Sequence, residues 1–119
     1  MSFWAFLTME VKDQNLDLFG EVCERYNMRF SREDLCAYDT LGSGRIELHA
    51  TDHGSYTLFT DSDPRYNSIA RRVEGGLDRI CRDYSEAVIE RTTSNSGGSI
   101  TNREEREDGS LYLTVAVGF

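Results

Sequence analysis

Asp108-Gly109, near the carboxyl end, separates two extended runs, and no other dipeptide in the chain limits the fold as much. Asp-Gly in that position signals a tight hairpin, because a type I′ turn needs positive φ at both central residues. Downstream, Leu111, Leu113, Val115 and Val117 recur at period two, which predicts a half-buried strand that closes a sheet. Upstream, Glu104, Glu105, Glu107 and Asp108 place charge where an exposed edge would otherwise pair with another chain. The segment sets an architecture and leaves the chemistry open.

The remaining elements follow from periodicity. Phe3 to Lys12 alternates as a strand, and apolar Trp4 and Phe6 on its second face predict that it is central or covered on both faces near its start. Asp13 to Asn15 offers caps, and Phe19, Val22, Cys23 and Tyr26 at helical spacing predict a helix of about three turns. Gly20 within it costs about 1 kcal/mol relative to alanine, which a close approach to the sheet would justify. Short extended pieces are expected at Met28–Phe30 and Leu35–Thr40, with a turn at Gly42-Ser43-Gly44. Arg45–Thr51 and Ser55–Thr60 alternate on either side of Asp52-His53-Gly54 and predict a hairpin. Asp63 and Pro64 suit a helix cap and first helical position. From Ile69, the steps through Val73, Leu77, Ile80, Tyr84 and Val88 predict one long helix, with Gly75-Gly76 as a kink or a close packing contact.

The expected fold is therefore α+β: a single domain over residues 1–119, with one ferredoxin-like layer. Its sheet is antiparallel or mixed, two helices cover one face, and the hairpin closes the chain. The length of 119 residues suits one core. A net charge of −8 disfavours non-specific contact with nucleic acid or an anionic membrane. Three cysteines at irregular spacing argue against a disulfide framework and for a reduced, cytoplasmic setting. The start lacks a basic signal-peptide region, and no apolar run approaches the ~20 residues that cross a bilayer.

Candidate sites are few. Arg65, Arg72, Arg79 and Arg82 recur along the expected long helix as a binding stripe for an anion or an acidic partner, interleaved with Glu74, Asp78, Asp83 and Glu86. Twelve of the thirteen basic residues are arginines, whose forked donors suit carboxylates and phosphates. His49 and His53 are the only histidines, and residues four apart on a strand lie ~13 Å from each other, so no metal site is expected. Cys23 and Cys81 fall on apolar helix positions as inert thiols. No P-loop, GxGxxG or HExxH motif is present, no nucleophile constellation is read, and neither enzyme activity nor a cofactor is expected.

Met1-Ser2-Phe3, Tyr84 with Val88-Ile89-Glu90, and Glu107-Asp108-Gly109-Ser110-Leu111-Tyr112-Leu113 together resemble a family of unknown function. That family is found in plastid genomes, cyanobacteria, other bacteria and some phages. The chain departs from it by lacking an aromatic-rich stretch before the long helix and by carrying a Ser-Gly linker. The resemblance implies an α+β fold and no catalytic residues. The expected function is a small cytosolic, non-enzymatic binding or regulatory protein. Its partner is expected to be another protein, met at the sheet edge or the arginine face, with a homodimer through an edge strand as a further form. The alternatives are a phage-encoded antagonist of a host system acting through an acidic surface, and a small-molecule or metal binder centred on His49 and His53.

Overall fold

The computed structural model describes residues 4–61, 63–107 and 111–116. The element order is β1 (Trp4–Lys12), a 3-10 turn (Asp13–Asn15), α1 (Leu16–Arg25), β2 (Met28–Ser31), β3 (Cys36–Asp39), β4 (Arg45–Ala50) and β5 (Ser55–Asp61). Then come α2 (Ser68–Arg72), α3 (Gly76–Asn95), β6 (Ser99–Glu105) and β7 (Leu111–Ala116). The α+β class holds. The chain divides into two compact units, residues 1–81 and 82–119, with the division inside α3.

The first unit carries a five-stranded sheet in the order β1-β5-β4-β3-β2, with every pairing antiparallel. This is a meander from β2 to β5 with β1 added at its far edge. A ferredoxin-like order would set the first strand in the sheet interior, an arrangement that this order, with β1 at the edge, does not show. Of the two readings of β1, central or covered on both faces near its start, the same order corrects the first: among the described strands β1 lies at the sheet edge and pairs β5. The alternation read over residues 4–9 concerns side chains outside the described ones.

Register explains the core of this unit. Ala37 pairs Ile46, Ile46 pairs Thr60 and Leu48 pairs Leu58, so these buried residues share one face of the sheet. Phe19 and Val22 of α1, Ile69 of α2 and Ile80 of α3 are likewise 0–1% exposed. Burying each such side chain contributes about 1.5–3 kcal/mol. Gly20 brings α1 against β2: a Cβ there would lie 3.3 Å from Phe30 Cδ2, so the expected close approach is present. Phe30 in turn meets the edge of Phe19, with ring centroids 5.6 Å apart.

Helix ends depart from expectation in three places. Asn15 makes no side-chain cap at α1, and a single 3-10 turn leads in instead. Asp63 organises a turn, accepting the Arg65 amide at 2.9 Å, while Asn67 caps α2 by accepting the Ile69 amide at 3.0 Å. Gly75 and Gly76 adopt φ of +82° and +56°, left-handed values that stop one helix and start another. The single long helix is therefore two, because its hydrophobic period runs unbroken across a backbone that does not.

In the second unit β6 and β7 form a separate two-stranded sheet, so the closing strand joins a ribbon and not the main sheet. Val115, on the face expected to be buried, is 38% exposed, more than a half-buried strand predicts. The described pairing ends at Glu105 opposite Leu111; Asp108-Gly109-Ser110, Val117 and Met1-Ser2-Phe3 lie outside the described residues. Gly97, at φ +77°, and Gly98, whose amide donates to Thr93 O, cap α3 and do not act as a linker.

Candidate arginine cleft

Asp39 ends β3 with its carboxylate fully buried. A buried carboxylate must be paired and hydrogen-bonded, and three residues supply the donors. The Arg72 guanidinium at the end of α2 reaches it at 2.7 Å from Nη2 to Oδ1, with Nε 3.4 Å from Oδ2. Ser68 donates its hydroxyl to Oδ2, and the Leu41 amide donates to Oδ1 at 3.1 Å. Ser68 Oγ also accepts the Gly44 amide at 2.8 Å. Burial alone would raise the Asp39 pKa; the Ser68 and Arg72 hydrogen bonds, the Leu41 amide and the guanidinium charge outweigh it, and the carboxyl sits below its usual range.

This knot fixes three chain segments. Arg72 Nη2 also donates to the Tyr26 carbonyl at the end of α1. Asn67 donates to Thr60 Oγ1 at 3.0 Å and to the Asp61 carbonyl at 2.6 Å, tying α2 to β5. Gly44 permits the approach, since a Cβ there would overlap Asn67 Oδ1 and crowd Ile69. The C-terminal end of α1 turns away at Asn27, φ +59°, a left-handed cap that asparagine tolerates.

Beside the knot lies a cleft of about 270 Å³. Arg25 from α1, Arg72 from α2 and Arg79 from α3 line it, with Tyr26, Asn27 and Glu74. Arg79 Nε donates to the Tyr26 hydroxyl at 3.3 Å. Arg25 is exposed and makes no ion pair or hydrogen bond among the described residues. The arrangement holds forked cationic donors at fixed positions, which is chemistry for binding an anionic group.

The expected stripe is thus only partly assembled. Arg72 and Arg79 meet on the cleft, whereas Arg65 sits in the turn before α2, paired with Asp63 at 2.7 Å and stacked toward Tyr66. Arg82 falls in the second unit and pairs Glu105 at 2.8 Å. Arg25 and Asp39 were missed by sequence reasoning. Arg25 had one signal, a basic residue in the last turn of α1; Asp39 had none, because its partners lie about thirty residues away.

The other candidates resolve separately. His49 Nε2 lies 3.3 Å from Glu47 and stacks on Phe59, while His53 Nε2 lies 3.1 Å from Glu10. Among the described residues no group of three His, Cys, Asp or Glu side chains is placed to hold a metal ion. Cys23, Cys36 and Cys81 are free and buried; burial pushes the Cys23 and Cys81 thiols up to about 12, where no thiolate forms at neutral pH. Among the described residues no helix is long and apolar enough to cross a membrane. A second cleft of about 220 Å³ runs beside α1, lined by Phe30 and by the carboxylates of Asp17, Glu21 and Glu24.

Comparison with known proteins adds no relative: no family model, curated protein or solved structure matches the chain.

Proposed function

We propose that this chain is a non-enzymatic binding protein that engages a protein partner through the arginine cleft of its first unit. The observation that carries this reading is the convergence of Arg25, Arg72 and Arg79 from three different helices on one cleft. A cluster of guanidinium groups is a recurrent means of recognising acidic motifs. Membership of the plastid and bacterial family belongs to the same proposal and rests on Tyr84 and the carboxyl-terminal pattern. So does a cytoplasmic location, which three free cysteines support.

The acidic-surface antagonist finds less support. In the second unit the acidic run is interleaved with cations: Arg103 pairs Glu86 at 2.6 Å and Glu105 at 3.6 Å, and Arg106 pairs Glu104 at 3.7 Å. A nucleic-acid mimic needs an unbroken band of one sign. A second copy of the chain is a separate partner, one that would meet a strand edge and not the cleft.

Affinity capture from the host lysate, with wild type beside Arg25→Glu, tests the reading. A protein held in stoichiometric amount by wild type and lost from the variant supports it. Equal capture by both places the binding surface elsewhere. Arg25 is the residue to change because it is exposed and outside the knot, so its reversal leaves the fold intact.

A further inference from the structure

We infer that the group this cleft takes from its partner is a single carboxylate, from an Asp or Glu side chain or a chain end, in preference to a phosphoryl dianion. The inference rests on the binding role proposed above for the same cleft. Three properties of the site point to it.

The first is charge. Asp39 is paired directly to Arg72, and Glu74 lines the cleft itself. Set against Arg25, Arg72 and Arg79, these two carboxylates leave one positive charge among the groups named, enough to match a monoanion. A dianion would remain under-compensated in a chain of net charge −8, whose long-range field already opposes polyanions.

The second is donor geometry. Arg72 commits Nε and Nη2 to Asp39 and to the Tyr26 carbonyl, so Nη1 is the nitrogen outside those bonds. Its position is held by a buried carboxylate, and a donor fixed in advance loses little freedom on binding. Arg25 supplies a whole guanidinium with no competing partner among the described residues. One fixed donor and one adjustable fork suit the two oxygens of a carboxylate.

The third is size. At about 270 Å³ the cleft falls below the roughly 300–1,000 Å³ of sites that enclose drug-sized ligands, and it suits a side chain or a chain end.

The test uses the full-length protein, isotopically labelled, and four short blocked peptides whose anionic groups differ. One carries an internal glutamate with an amidated end, one a free terminal carboxyl group, one a phosphoserine and one a glutamine. Both carboxylate peptides are expected to move the Asn27 and Glu74 amide signals saturably, and the glutamine peptide is expected not to. The stronger of the two identifies the source of the carboxylate. Arg25→Gln is expected to weaken binding about tenfold, the worth of one charge-assisted hydrogen bond, while Arg29→Gln, outside the cleft, leaves it unchanged. Equal binding of the glutamine peptide, tighter binding of phosphoserine than of either carboxylate, or indifference to Arg25→Gln would each overturn the inference. If these peptides fail while lysate capture still depends on Arg25, the carboxylate assignment falls and the protein-binding role stands.

Discussion

Removing either partner of the Asp39–Arg72 pair leaves the other as an uncompensated buried or half-buried charge. Asp39→Ala or Arg72→Ala should destabilise the first unit by about 3–5 kcal/mol, read from denaturant unfolding. A loss below about 1 kcal/mol would mean that the pair behaves as an exposed one. The pH dependence has a defined sign. The folded-state pKa of Asp39 is depressed, so its contribution is complete above the unfolded value of about 4 and is lost as pH falls through the lower folded value. Ser68→Ala removes one of the bonds that lower it and should flatten the acid limb of the stability curve. Glu10 is a surface counterpart: hydrogen bonds from His53 and then Ser55 hold its carboxyl below the usual range. In His53→Ala the Glu10 midpoint, followed by NMR, should rise; an unchanged midpoint would assign the shift to Ser55.

The helices show what propensity conveys and what it omits. The apolar steps from Ile69 to Tyr84 fit one helix, yet Gly75 and Gly76 stand at positive φ and divide it. A Cβ at Gly76 would meet nothing nearer than 4.0 Å, so backbone conformation and not crowding requires the glycine. Gly76→Ala should therefore cost about 1–2 kcal/mol with no gain in helicity by circular dichroism. An increase in both helicity and stability would restore the continuous helix. Gly44 is the opposite case, a site of close approach, where alanine would press on Asn67 and Ile69 and cost about 1–3 kcal/mol. The hairpin β4–β5 and helix α1 were legible because their signals are local: alternation around Asp52-His53-Gly54, and Phe19, Val22 and Cys23 on one helical face. The α2 start was not, because Asp63-Pro64 advertises a cap that the chain spends on a turn, with Asn67 capping four residues later.

Across the chain, the α+β class and most strands could be read in advance, whereas strand order and the site could not. Pairing β1 with β5 joins segments about fifty residues apart, and no local pattern encodes that choice. The arginine stripe is brought together only in part for the same reason: helical spacing joined Arg65 and Arg82 to Arg72 and Arg79, whereas the chain, broken at Gly75-Gly76, lines one cleft with Arg25, Arg72 and Arg79. What the first unit presents is a rigid polar anchor with a cationic cleft at its side. The most direct test places a photo-reactive residue at Asn27 or Glu74, which line that cleft, and at Asp52 in the β4–β5 turn as a control. Irradiation in the host lysate should give one shared adduct from positions 27 and 74 and none from 52. The same adduct from position 52, or no adduct from the cleft, would contradict a binding role for it.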